Sequence, residues 1–126
     1  MQKQIKLLKL FLTIFILISL IACNNTLNKV KGKTYMNREF QSAAIFKGKI
    51  AYIMAEGVEV GEVELIAKRK NKLVYAKKDF YGYIYIFIVE KDILYFTVLI
   101  KGQIAAIGGI DNIETTDCIP LKLKKD

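Results

Sequence analysis

The chain has 126 residues, 53% of them apolar, and a formal charge of +8 from 20 basic and 12 acidic side chains. This length suits one domain and excludes two, and the apolar and aromatic content excludes intrinsic disorder. Histidine and tryptophan are absent and the only cysteines are Cys23 and Cys118, so the commonest general base and metal ligand is missing.

Residues 1–22 carry the parts of an export signal in order. Lys3, Lys6 and Lys9 make a positive start, and Leu10–Ala22 is an uncharged apolar run broken only by Thr13 and Ser19. A spanning helix needs about 20 apolar residues; this run has the length of a signal-peptide core. It ends in Leu20-Ile21-Ala22-Cys23, which resembles the cleavage box of bacterial lipoproteins. The resemblance implies cleavage after Ala22, a diacylglycerol on the Cys23 thiol and acylation of the new N-terminus. It also implies residence on a cell membrane or outer membrane, facing the periplasm or exterior. One acyl chain binds only marginally, at about 0.8 kcal/mol per buried methylene, whereas two or three hold durably. Loss of the three leader lysines would take the 20 basic residues to 17 against 12 acidic ones.

Residues 23–32 are polar beyond the cysteine and read as a lipidated tether, leaving 33–126 as a single β domain. From there the pattern has period two, broken by turn residues at intervals too short for the helical crossovers that parallel strands require. The predicted strands are 33–39, 43–46, 49–55, 58–67, 72–77, 81–89, 93–100, 103–107 and 119–123. The fold class is therefore all-β: a small antiparallel meander, a barrel or half-open sandwich of about eight strands. Gly32 followed by Lys33-Thr34-Tyr35 is similar to the opening of lipocalin-like domains, although the tryptophan usual there is missing. Val58 and Val60 put even residues inward, while Val63, Leu65 and Ala67 put odd ones inward. A strand changes phase only by inserting a residue, so a bulge is predicted at Gly61.

The segment 83–89 is apolar at every position, and 93–100 nearly so. A three-residue loop, Glu90-Lys91-Asp92, would place Tyr83, Tyr85 and Phe87 on one face with Tyr95 and Thr97. Ile84, Ile86 and Ile88 would then face the other way with Leu94, Phe96, Val98 and Ile100; a two-residue loop mixes these sets. Apolarity on both faces has three readings: a central position in a sandwich or cover by the tether; an outer face that meets a partner, a second copy or the membrane; or an inner face that lines a barrel cavity while the other packs against an extra segment. Tyr83, Tyr85, Phe87, Tyr95 and Phe96 form the candidate ligand or partner face. Lys68, Arg69, Lys70 and Lys72 form a basic hairpin tip, either a solubility device or a contact for anionic lipid headgroups or an acidic polymer.

Catalysis has little to work with. Alternation points most of Glu56, Glu59, Glu62 and Glu64 at solvent, Cys118 has no activating partner, and neither a calcium site nor a phosphate loop has its spacing here. No cofactor, enzymatic activity or nucleic-acid partner is expected. Two functions remain: a membrane-anchored binding module for an apolar or amphipathic ligand, or an envelope protein that contacts another protein, peptidoglycan or itself through an exposed aromatic strip.

Overall fold

The computed structural model describes residues 26–78 and 80–125. The leader, the cleavage box and Cys23 lie outside the described residues. A short helix at 26–30, α1, leads into eight strands: β1 Thr34–Asn37, β2 Ser42–Phe46, β3 Ile50–Ala55, β4 Val58–Arg69, β5 Lys72–Lys77, β6 Phe80–Glu90, β7 Ile93–Ile100 and β8 Ile119–Leu123. All neighbouring pairs are antiparallel, and β8 returns to β1, so the sheet closes into an up-and-down barrel. The closing seam is short, pairing Tyr35 with Leu123 and Met36 with Lys122. Pro120 has no N–H for a ladder; where the seam gives out, the Asn37 side-chain amide donates to the Pro120 carbonyl at 2.8 Å.

Eight strands give a barrel just wide enough for side chains to fill it, and here they are rings. Tyr35 meets Phe46 at 5.9 Å, Phe46 meets Phe87 at 5.0 Å and Phe87 stacks on Phe96 at 4.9 Å. Tyr75 packs beside Phe46 and Phe87, at 5.9 and 5.7 Å. Its hydroxyl donates to the buried Gly48 carbonyl at 3.0 Å, tying β5 to the β2–β3 turn. Aliphatic residues, among them Leu73, Leu94 and Leu121, complete the core.

Alternation places the turns 47–49, 70–71 and 91–92 at one end of the barrel, together with the start of β1 and the end of β8. This is the end α1 occupies: Val30 is fully buried in the barrel core and Thr26 Oγ1 donates to the Lys70 carbonyl at 2.9 Å. Residues 26–32 are thus not the free tether their polarity suggests. Leu27 and Val30, three apart, share one helix face and insert it into the core. At the other end the buried Ser42 hydroxyl accepts from the Glu56 N–H and donates to the Phe40 carbonyl, joining two turns.

The bulge at Gly61 is present. Ile53 pairs with Gly61 but Met54 with Glu59, leaving Val60 over, and Gly61 adopts φ +88°. A second phase change, at Ile66, has no glycine to announce it.

The β6–β7 register differs from the expected one. Glu90 pairs with Ile93, so Lys91-Asp92 is a two-residue loop, with Lys91 at φ +46°. Phe87 lies opposite Phe96 and Tyr85 opposite Val98. This register puts the large rings together inside the barrel, and that burial outweighs the strained turn residue. Residues 103–107 are likewise not a strand. Lys101–Ala106 is helix α2, opened by the Ile100 N–H donating to Gln103 Oε1 at 2.9 Å. It ends where Gly108, at φ +89°, and Gly109 donate to the carbonyls of Ala105 and Ile104, the glycine C-cap pattern.

From α2 the chain runs through two 3₁₀ turns, Ile110–Asn112 and Thr115–Asp117, before entering β8. This strap covers the outer face of β5, β6 and β7. Ile113, Ile104 and Ile110 pack on Val74, Ala76, Ile84, Ile86 and Ile88. The double-sided apolarity of the hairpin therefore follows the outer half of the third reading, a face packed against an extra segment, and departs from its inner half, because the interior is filled by rings and not a cavity.

Candidate functional site

The five residues proposed from sequence as one face lie in three environments. Tyr85, Phe87 and Phe96 are buried in the barrel interior, 6%, 0% and 1% exposed. Tyr95 lies on the outer face against the strap. Tyr83 alone is open to solvent, at 49%. Burial raises the pKa of Tyr85 and of Tyr75, and of Tyr35 with a smaller push from Asp92.

Tyr83 belongs instead to a cluster at the barrel end opposite α1. Ala76 pairs with Ile84, but Lys77 pairs with Phe80, so residues 81–83 are extra on β6. Irregularities of this kind turn side chains out of a ladder at barrel rims. Phe80, Tyr81 and Tyr83 are each about half exposed, the Phe80 and Tyr83 rings 5.8 Å apart, and Ile100 pairs across from Tyr83 with 46% exposure. Gly82 makes room for this arrangement. A Cβ there would stand 2.7 Å from the tip of the Phe80 ring. The sequence signal for the cluster is three aromatic residues around one glycine, Phe80-Tyr81-Gly82-Tyr83, just past Lys78-Asp79.

A second apolar surface lies on the outer faces of β2 and β3, where Ile45, Ile50, Tyr52 and Met54 are 37–42% exposed. Lys47 Nζ sits 5.1 Å from the Tyr52 ring centre, and the Tyr52 hydroxyl donates to Glu62 at 3.3 Å. Glu59, Glu62 and Glu64 point outward on β4 beside this surface. No helix among the described residues is long and apolar enough to cross a membrane.

Two of the clefts adjoin the aromatic interior or the strap. One, of about 190 Å³, opens at the aromatic end above Phe96 and is edged by Ala55, Glu56, Val98 and Ile119. The other, about 350 Å³, lies between β7 and the strap, lined by Leu99, Ile107 and Ile113 with Thr97, Gln103 and Asn112. Ligand pockets span roughly 300–1,000 Å³, so the barrel mouth is small and the strap cleft is at the lower limit.

The basic tip divides by role. Arg69 pairs with Asp111 at 3.2 Å, and Lys72 Nζ donates to the carbonyls of Ile110 and Asp111 at 3.1 and 3.0 Å, so both hold the strap. Lys68 and Lys70 project at the α1 end. Cys118 is half-buried, with Sγ 3.4 Å from the Glu114 carbonyl. Burial first, and then Asp117, push its pKa up to about 11, with Lys72 opposing. Its thiol is protonated at neutral pH and correspondingly unreactive. Among the described residues no group of three or more acidic, cysteine or histidine side chains is placed to hold a metal ion. Compared with protein-family models, with curated proteins and with solved structures, the chain matches none.

Proposed function

We propose that this chain is an exported envelope protein, held on a membrane by acyl groups at Cys23, that acts by surface contact and not by catalysis or by enclosing a ligand. The observation that carries the reading is the exposed cluster of Phe80, Tyr81 and Tyr83 at the barrel end opposite the N-terminal helix, over an interior already occupied by rings in contact. Exposed aromatic residues are the commonest anchors of protein interfaces, and a bulged rim presents them farthest from the membrane attachment. Membrane attachment is supported by the leader and the Leu20-Ile21-Ala22-Cys23 box, followed at once by a domain.

Attachment is tested by metabolic fatty-acid labelling, which Cys23→Ser should abolish; unchanged labelling refutes it. Contact is tested by placing a photo-crosslinking residue at Tyr81 or at Glu62, exposed on the mid-barrel outer wall, in living cells. Tyr81 should give a discrete adduct, either with a partner or with a second copy, and Glu62 should not. Matching results at both positions refute the aromatic end as the contact face. Native mass spectrometry tests for an enclosed ligand, and a protein free of copurifying lipid is the expected result. A lipid that copurifies with wild type but is lost on narrowing the strap cleft with Ala106→Leu would move the function to that cleft.

A further inference from the structure

Every connection at the α1 end of the barrel carries exposed lysine. Lys31 and Lys33 lie between α1 and β1, Lys47 and Lys49 in the β2–β3 turn, Lys70 in the β4–β5 turn and Lys91 in the β6–β7 turn. Lys124 and Lys125 follow β8 at the same end. Against them, the acidic residues in these connections among the described residues are Glu90 and Asp92. The opposite end is mixed, with Glu39, Glu56, Glu114 and Asp117 beside Arg38, Lys78 and Lys101. The separation follows from the topology, since an up-and-down barrel delivers alternate turns to alternate ends.

Two of the turn lysines occupy positions where lysine is a poor conformational choice. Lys70 and Lys91 hold left-handed backbone, φ +53° and +46°, which glycine or asparagine adopts at lower cost. Gln41 and Glu56 hold the same conformation at the opposite end, both at φ +48°, so the charge and not the backbone distinguishes the lysine end.

The N-terminal chain leaves from this end. Thr26 is bonded to the Lys70 carbonyl, and only Asn24 and Asn25 lie between it and Cys23. Three residue steps reach roughly 10 Å at full extension, close to the screening length of about 8 Å at physiological salt. An acyl group on Cys23 seated in a bilayer would therefore keep the lysines within electrostatic range of the headgroups.

We propose that the lysine-bearing end of the barrel seats on an anionic phospholipid surface, fixing the barrel upright with its aromatic end outward. The proposal rests on the membrane-anchored reading above and adds an orientation and a lipid preference to it. Acyl chains hold the protein at the surface, and the lysine end stops it from tumbling on its tether.

The test uses the full protein extracted from its host membrane and reconstituted into vesicles of phosphatidylcholine alone or mixed with phosphatidylglycerol. Lysine acetylation at limiting reagent is read by mass spectrometry. On the mixed vesicles, labelling of Lys31, Lys33, Lys49 and Lys91 should fall severalfold while Lys77, Lys78 and Lys101 stay unchanged. Raising salt to about 1 M, where screening shortens to about 3 Å, should restore it. The exposed pair Lys33→Glu and Lys49→Glu should weaken the protection of Lys31 and Lys91. Equal labelling of both ends on anionic vesicles that retain the protein overturns the proposal, as does equal protection on neutral vesicles. Equal protection by soluble polyphosphate without vesicles also overturns it and assigns the end to an acidic polymer. If the protein leaves neutral vesicles but shows end-selective protection on anionic ones, the acyl anchor fails and the orientation stands.

Discussion

Replacing Phe87 by alanine separates a packed barrel from a hollow one. Phe87 is fully buried and touches three other rings, Phe46 at 5.0 Å, Tyr75 at 5.7 Å and Phe96 at 4.9 Å. Burying a phenylalanine and then deleting it costs about 3–5 kcal/mol, and each aromatic pair adds about 0.5–1.5 kcal/mol beyond area. The loss should therefore fall in the upper part of that range, about 4–5 kcal/mol. Against a total stability of about 5–15 kcal/mol, this is a large fraction. Urea unfolding followed by tyrosine fluorescence and far-ultraviolet circular dichroism measures it, the chain having no tryptophan. The urea midpoint should drop with an unchanged slope, and the melting temperature should fall by roughly 4–8 °C per kcal/mol. Should Phe87→Ala be too unstable to purify, Phe87→Leu should show a smaller loss in the same direction. A loss below about 1 kcal/mol with unchanged slope would mean that the ring borders empty space, and the contact reading of the function would lose its basis.

Other outcomes follow from single contacts. Tyr75→Phe leaves the buried Gly48 carbonyl without its 3.0 Å donor and should cost about 1–3 kcal/mol in the same urea assay. Gly61→Ala forces a side chain into φ +88° and should destabilise by about 1–2 kcal/mol, whereas Gly102→Ala, in helix α2 with open space around it, should stabilise by up to about 1 kcal/mol. Lys72→Met removes both bonds to the strap carbonyls, and hydrogen exchange should speed up across 107–113 while the barrel strands stay protected. Alkaline pH should weaken the fold. Burial raises Cys118 from 9.0 to about 11, so the unfolded thiol loses its proton first. The stabilisation is complete below pH 9 and declines through about pH 11; Tyr35, Tyr75 and Tyr85 act in the same direction. Cys118→Ser should flatten the pH dependence of the urea midpoint between pH 9 and 11.

Period-two alternation and turn residues located most of this fold. Strands β5, β7 and β8 begin and end where the pattern places them, and the phase change across Gly61 revealed its bulge, because strand geometry permits nothing else. The bulge at Ile66 left no such mark, since Ile66 and Leu65 are both apolar and either can face inward. Helix α2 had a readable signature in Ala105-Ala106-Ile107-Gly108-Gly109, good helix residues closed by a glycine cap, but its isoleucines also fit a strand. The basic tip shows the same limit. Its charges are plain in the sequence, yet only the fold separates Arg69 and Lys72, which hold the strap, from Lys70 at the outer end.

The limits of β5, β7 and β8, the all-β class and the apolar leader are properties of short stretches, and the sequence by itself determined them. The β6–β7 register is different in kind. Loops of two and three residues both satisfy the local pattern, and the outcome depends on which one lets Phe87, Phe96 and Phe46 meet across the barrel. Closure of β8 on β1, insertion of Val30 into the core and the strap over β5–β7 likewise join residues far apart in the chain. Burial is a sum over the whole barrel, so only the tertiary structure decided which aromatic residues became core and which, at Phe80, Tyr81 and Tyr83, stayed outside to be touched.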